Sequence, residues 1–467
     1  MLGRTKKLHF VGIGGIGMSG IAELLINYGY KITGSDLLKS LVTERLEKMG
    51  AEITYQHKAA NVHKDVDVVV KSSAVTDANI EIKTAFKRNI PVIRRAEMLY
   101  ELMRMKKGIG IAGTHGKTTT TSMTGMILTE AGLLPTLIIG GVVKNFDSNA
   151  VLGKSKYIVV EADEYDHSFL SLTPIIAGIN NIEEEHVDCY PTVEELENAF
   201  LQFANSVPFF GLIVACIDDP AVKRLLPRFE KRLCTFGLDK NATVRADNIR
   251  YSNFESEYDL IYKHKKLGTI NLSLPGVHNI QNSLLAASIA LELEIPFIDI
   301  RNGLQKFKGV YRRFERKGFV NDILVYDDYA HHPTEVKRTL QGVKEGSARR
   351  LISVFQPHLF TRTKMFYRQF AEALMISDVI IINDIYPARE DPIEGVTGKL
   401  ISDVAHELGH KKVYFFKDSE DIPYELIKIS KSGDFVITMG AGNVFQVSEK
   451  FVQLLEKQNA TQSKKKL

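Results

Sequence analysis

No run of about 18 apolar residues occurs in the 467-residue chain, which argues against a membrane-spanning helix and against a membrane as partner. Cysteine is scarce. Cys189, Cys216 and Cys234 are odd in number and show no CxxC spacing, so a disulfide framework and a structural zinc are both disfavoured. A reducing cytoplasm is the expected compartment. A large charge excess is missing as well: the formal net charge is +4, and no arginine-rich stripe interleaves with aromatics, which argues against nucleic acid. The opening "MLGRTKKLHF" enters a strand pattern without the apolar core of a signal peptide. No feature marks a surface for an obligate protein partner.

What is present is an ordinary globular composition, 44% hydrophobic and 25% charged, in a chain long enough for two or three domains. The first hundred residues alternate β-rich runs with helical stretches: "KLHFVGIG", "MSGIAELLINYG", "YKITGSD", "DVVVKSSAV" and "NIPVIRRAEMLYELMRMKK". Such alternation predicts a parallel sheet covered by helices. A second α/β unit opens at "GIGIAG" and runs through "TLIIGG", "KYIVVEAD", "PIIAGINN" and "GLIVACIDD". Residues 231–275 change texture to closely spaced strands, expected to be antiparallel, and a helix follows from about Asn279 to Leu293. A third alternating unit begins near "GVYRRFE", and the tail "EKQNATQSKKKL" reads as a frayed, solvated end. The division is three α/β domains, at 1–106, 107–309 and 310–467.

Two glycine clusters carry chemistry. Gly12, Gly14 and Gly17 form a G-x-G-x-x-G frame directly after a strand, where backbone amides can approach a diphosphate at a helix N-terminus. Asp36 lies 19 residues beyond Gly17, at the end of the next strand, where a ribose-binding acid belongs. The frame leaves open whether the ligand is a nicotinamide dinucleotide or another diphosphate. The second cluster, "GIGIAGTHGKTTTTSM", departs from the strict phosphate-loop rule, with Ile111 where a glycine would stand. Gly113, Thr114, His115 and Gly116 still make a short loop before Lys117, Thr118 and Thr119. Amides cradle phosphate, the lysine neutralises its outer oxygens and a threonine hydroxyl can ligate Mg²⁺.

Downstream, "YIVVEADEYD" ends a strand with Glu161, Asp163, Glu164 and Asp166, where a nucleotide-bound Mg²⁺ needs a hard oxygen ligand. "PIIAGINNIEEEHVDCY" ends another strand and brings His186 and Asp188 to the same edge, which makes His186 a candidate for a second metal.

The segments "GTHGKTTTTSM", "EADEYD", "NNIEEEHVD", "GVHNIQNSLLAA", "YRRFE" and "YDDYAHHPTE" occur in the order found in the Mur ligases, and the chain resembles that family over nearly its whole length outside the tail. The resemblance implies an N-terminal Rossmann-like domain, a central P-loop ATP-binding domain and a C-terminal Rossmann-like domain. It implies ATP-dependent amide-bond formation in cytoplasmic peptidoglycan precursor synthesis, with ATP and Mg²⁺ required. The glycine pattern "GIGGIGMSG" favours the branch that joins L-alanine to the lactyl carboxylate of UDP-N-acetylmuramate through an acyl phosphate. Within the family the rival is the recycling branch, which attaches a ready-made tripeptide to the same sugar nucleotide. A NAD-dependent oxidoreductase is the rival outside it, and it leaves the 110–190 constellation unused.

Residue by residue, the resemblance gives the UDP-sugar Gly12, Gly14, Gly15, Gly17, Asp36, Ser72 and Ser73. It gives ATP the loop Gly113–Thr119 with Lys117, then His278, Asn279 and Asn282 on the adenine side and Asp328 on the nucleoside. Asn279 and Asn282 lie three apart and share a helix face. Thr118 and Glu161 fall to one Mg²⁺ and His186 to a second. Arg313 reaches the γ-phosphate, Tyr329 and His331 face the reacting centre, and His358 and Arg362 meet the amino acid's carboxylate. In two places the chain departs from its relatives. Leu359 stands where an arginine is usual, and no lysine lies between His186 and Gly211 to match the carbamylated lysine of some members.

Overall fold

The computed structural model describes residues 2–185, 189–388 and 390–465, with side chains described as far as residue 460. His186, a predicted metal ligand, and Asp188 lie outside the described residues. The chain divides into two compact units. The first comprises the chain up to Asn248, with Tyr258–Asn271 and Ile280–Lys308. The second comprises Ile249–Glu257, Leu272–Asn279 and Gly309–Leu467.

The strands form three sheets. In the first, five parallel strands stand in the order Glu52–Thr54, Lys31–Ser35, Lys7–Val11, Val68–Lys71, Val92–Arg94. Lys7–Val11 is buried beyond its first residue, as a strand of a parallel sheet covered by helices is, and His9 is the one polar side chain in that buried run. Strand order reverses about this strand, so a crevice opens beyond its C-terminal end, where Gly12 sits.

The second sheet has ten strands, and Lys107–Ala112 lies within it between Ile176–Ile179 and Tyr157–Glu161, parallel to both. The C-terminal ends of these three strands therefore share one edge. The expectation of antiparallel strands over 231–275 needs correction at its start. Leu233–Gly237 and Val244–Ser252 pair in parallel over two residues. The Asp218 carboxylate accepts from the amides of Leu238 and Asp239, and this shapes the short crossing. Val244–Ser252, Glu255–Tyr262 and Lys265–Leu272 then follow as neighbours joined by two-residue turns, which only antiparallel strands permit. Asn253, Phe254, Lys263 and His264 take φ of 50°, 64°, 47° and 66°, the left-handed pair that a twisted two-residue hairpin demands.

The third sheet, in the second unit, runs Glu315–Val320, Ile323–Asp328, Asp434–Met439, Arg350–Phe355, Val379–Asn383, Val413–Phe416. Its first strand is antiparallel and the rest are parallel. The Phe254 ring belongs to this unit, with its centroid 5.0 Å from Phe435 and 6.0 Å from Tyr326. The tail is also corrected: a helix, Phe445–Lys465, replaces the frayed end. Val447, Phe451 and Leu455, four apart, bury one stripe of it. Helix propagation carries on past that packed stripe, although Glu456–Ala460 are exposed as expected.

Candidate functional site

At the first cradle Gly12 takes φ of +81°, and a Cβ there would stand 3.1 Å from the Ser72 Cβ, so both backbone hand and close approach require glycine. The amides of Gly12 and Ile13 donate to the Ser35 carbonyl at 2.8 and 3.0 Å. Asp36 lies at its expected strand end, and its carboxylate accepts from the Gly14 amide at 2.7 Å and from the Leu37 amide at 2.7 Å. Gly15 and Gly17 complete the turn into the helix Ile16–Asn27. A cavity of about 400 Å³ opens beside this turn, lined among others by Lys71, Ser72, Ser73, Arg94, Arg95 and His167. The two serines were expected there. The arginines and His167 were not, because nothing in their spacing ties them to the glycine frame. Arg95 reaches within 3.6 Å of Asp163, and Arg94 within 3.9 Å of Asp166. Cations thus line a cavity next to a diphosphate-type turn.

At the second cradle the strand Lys107–Ala112 ends in the loop Gly113–Gly116, and the helix Lys117–Glu130 follows. Gly116 has φ of +82°, and a Cβ on it would collide with Asn282 Oδ1 and lie 3.0 Å from Asn180 Nδ2. Lys117 folds back over the loop. Its Nζ donates to the Gly113 carbonyl at 2.7 Å and to both Glu164 oxygens at 2.9 and 2.7 Å. Burial opposes the charge on Lys117, but Glu164 and the nearby Asp163 and Glu185 outweigh it and hold the ammonium above its ordinary range. Burial likewise pushes the Glu164 carboxyl up, to about 7, and Lys117 only partly pulls it back.

Thr118 Oγ1 donates to Glu161 Oε2 at 3.2 Å, and the Gly140 amide donates to the other Glu161 oxygen at 2.5 Å. A hydroxyl and a carboxylate side by side at the mouth of a phosphate loop are hard oxygen donors, a set that fits Mg²⁺. The strand end after Ile179 braces the loop. Thr114 donates its amide to the Asn181 carbonyl at 3.0 Å, and the His115 amide donates to Asn181 Oδ1 at 2.8 Å. Asn180 Nδ2 donates to the Thr120 hydroxyl, which donates to Asn282 Oδ1 at 3.2 Å. Asn282 is therefore joined to the phosphate-loop helix. Asn279, on the same helix Val277–Glu292, donates to the Pro275 carbonyl at 2.7 Å, and His278 precedes it. Thr119 is half-buried on the first turn after the loop.

In the second unit the strand Ile323–Asp328 ends in Asp328, whose carboxylate accepts from the Phe314 amide at 2.9 Å and the Ala330 amide at 2.8 Å. Burial lifts this carboxyl to about 6, against the pull of Arg313. The Arg313 guanidinium lies 5.0 Å from the Tyr329 ring centroid and 3.8 Å from Glu335. His331 Nδ1 lies 3.0 Å from the Tyr329 carbonyl oxygen, and its ring is 6.2 Å from His358. Arg362 approaches His358 at 3.4 Å, one turn along the helix Phe360–Leu374. Tyr329, His331, His358 and Arg362 thus form one contiguous cluster. Tyr386, which no sequence signal marked, stacks on His358 at 5.8 Å. Leu359, where the resemblance led to the expectation of an arginine, takes φ of +72° at the start of that helix.

Three family descriptions cover the chain in turn: Mur ligase family, catalytic domain, over residues 7–107; Mur ligase middle domain over 111–290; and Mur ligase, glutamate ligase domain, over 312–442. UDP-N-acetylmuramate–L-alanine ligase of Geotalea daltonii is 50% identical over 97% of this chain and 99% of its own length. The protein of the same description from Salinibacter ruber is 49% identical over 98% of this chain and 97% of its own. The crystal structure of UDP-N-acetylmuramate-alanine ligase from Thermotoga maritima is similar with a TM-score of 0.83 and 29% identity, over 97% of this chain and 99% of that one. With two phosphate-type turns, each following a parallel strand of its own sheet, a third α/β sheet after them and relatives half identical end to end, the chain belongs to the Mur ligase family, with that family's three-domain α/β fold.

Proposed function

We propose that the chain joins L-alanine to the lactyl carboxylate of UDP-N-acetylmuramate at the expense of ATP, in cytoplasmic peptidoglycan precursor synthesis. The observation that carries this reading is the full-length identity of about half to alanine ligases, with both cradles intact. The assignment of residues is part of the proposal. The turn Gly12–Gly17, with Asp36, Ser72 and Ser73 and the cavity bearing Arg94, Arg95 and His167, takes the UDP-sugar. The loop Gly113–Thr119, with His278, Asn279, Asn282 and Asp328, takes ATP. Tyr329, His358 and Arg362 take the amino acid, and the domain limits are 1–106, 107–309 and 310–467. Among the described residues no helix is long and apolar enough to cross a membrane.

A carboxylate is a poor electrophile, so one lactyl oxygen first attacks the γ-phosphorus and ADP leaves. The alanine amine then attacks the acyl phosphate carbon, loses a proton, and expels phosphate. Lys117 draws charge from the transferring group, and Arg313 meets the same charge from its own domain. Thr118 and Glu161, with His186 for a second ion, would hold Mg²⁺, which when bound screens repulsion among phosphate oxygens. Tyr329 and His331 flank the reacting carbon, while His358 and Arg362 orient the amino acid's carboxylate.

Phosphate release is the test, with ATP, Mg²⁺ and UDP-N-acetylmuramate offered L-alanine, other amino acids or the murein tripeptide. L-alanine should give prompt release. Release with tripeptide but not with L-alanine would move the chain to the recycling branch.

A further inference from the structure

Behind the first cradle lies a carboxylate that the reaction does not use. Glu81, in the first turn of the helix Ile80–Lys87, has no solvent exposure and gathers donors from four directions. Ser35 Oγ donates to its Oε2 at 2.6 Å, and His9 Nε2 lies 3.3 Å from the same oxygen. The Lys58 amide and Asn61 Nδ2 reach Oε1 at 3.1 and 2.5 Å. His57 Nδ1 closes the ring at 3.0 Å from the Ser35 hydroxyl. The strands Lys7–Val11 and Lys31–Ser35 and the segment from Lys58 to Asn61 thus each present this carboxylate with a donor.

Ser35 is the residue through which this network reaches the cradle. Its hydroxyl is tied to Glu81, and its carbonyl accepts the amides of Gly12 and Ile13. The residue after it is Asp36, which holds the Gly14 amide. Three amides of the turn are thus referred, through two consecutive residues, to one buried anion. We infer that Glu81 is a positioning residue for the sugar nucleotide, fixing the glycine turn through Ser35 without touching the ligand. The inference rests on the first cradle being the UDP-sugar site. Serine's hydroxyl is the link, because a buried carboxylate with its other donors intact could still stabilise the sheet while the turn drifts.

The test separates substrate affinity from folding. Ser35→Ala cuts the link and leaves Glu81 its other donors. Its KM for UDP-N-acetylmuramate should rise about tenfold, with kcat and the KM for ATP within about twofold of wild type. Glu81→Gln should show the same split together with a lower melting temperature, since an amide cannot accept from all four donors. Gly14→Val serves as the control inside the cradle. If Gly14→Val leaves calorimetric affinity for UDP-N-acetylmuramate unchanged, the assignment of the cradle fails. If Gly14→Val weakens it while Ser35→Ala keeps a wild-type KM, the positioning role fails and Glu81 is a structural anchor. Should Glu81→Gln not fold, Ser35→Ala decides alone.

Discussion

Lys117→Ala tests the separation of the two cradles most directly. The lysine sits on the second loop, and its neighbours are Gly113, Thr114 and Glu164, none of which lines the cavity beside Gly12. Removing one charge-stabilising contact to a transferring phosphoryl group costs about 3 kcal/mol or more, so kcat should fall by at least about 10²-fold. A second cost falls on stability. Glu164 is 1% exposed and loses its bidentate partner, and breaking a buried pair from one side costs on the order of 3–5 kcal/mol if the charge remains.

The charge need not remain. Burial already pushes the Glu164 carboxyl up to about 7 with the lysine beside it, so without Lys117 it takes a proton near neutrality. A carboxyl whose folded pKa lies above its unfolded value is stabilising while protonated, and that stability is lost as pH rises through the folded pKa. The melting temperature of Lys117→Ala should therefore fall further below wild type between pH 6 and pH 9. Steady-state kinetics, calorimetry with UDP-N-acetylmuramate and thermal melts across pH make up the assay. Sugar-nucleotide affinity should stay within about threefold of wild type. An equal loss of that affinity, or a kcat within fivefold of wild type, would refute the two-cradle reading.

Four further outcomes are expected. Acid should reveal Glu81: burial opposes its ionisation, but hydrogen bonds from His9, Ser35 and Asn61 outweigh it and hold the carboxyl down, to about 2 from an ordinary 4.5. That depression supplies about 3 kcal/mol above pH 4.5, lost as pH falls toward 2; melts of wild type should drop across this window, and a flat profile would deny it. Arg94→Ala should raise the KM for UDP-N-acetylmuramate on the order of tenfold and leave that for ATP unchanged, as steady-state titration of each substrate would show. Phe254→Ala should cost about 2 kcal/mol in denaturant unfolding, since its half-buried ring packs on Phe435 and Tyr326; a loss under 0.5 would contradict that packing. Heavy oxygen in the substrate carboxylate should appear in inorganic phosphate by mass spectrometry, with ADP as the nucleotide product; label in AMP would mean adenylation instead.

Much of the fold was legible because its strands are buried on both faces and punctuated by glycine. "KGIGIAGTHGK" declares strand, loop and helix in eleven residues, and the structure follows it. The site was legible where a residue type has one use, as with Lys117 beside Thr118. It was illegible where several equivalent residues compete. Glu161, Asp163, Glu164 and Asp166 lie within six positions, and the fold alone turns Glu164 onto the lysine and Glu161 onto Thr118. Asn180 and Asn181 read as plain strand-end amides until the loop they brace is beside them. The hairpin tips hid for another reason. Asn253–Phe254 and Lys263–His264 adopt the backbone that glycine usually signals, so sheet pairing rather than turn chemistry fixes them.

The Phe254 tip has a practical consequence for anyone who would dissect this protein. A fragment that starts at Gly309 looks like a separable piece, with its own sheet and helices. Yet its folded unit borrows Ile249–Glu257 and Leu272–Asn279 from sixty to thirty residues upstream. Expressed alone, the fragment would present the faces of Phe314, Tyr326 and Phe435 to water where a borrowed ring belongs, an adhesive patch on a protein otherwise ready to dissolve. Excision by sequence position would manufacture an aggregation problem that the intact chain does not have, and a soluble C-terminal piece should carry the hairpin with it.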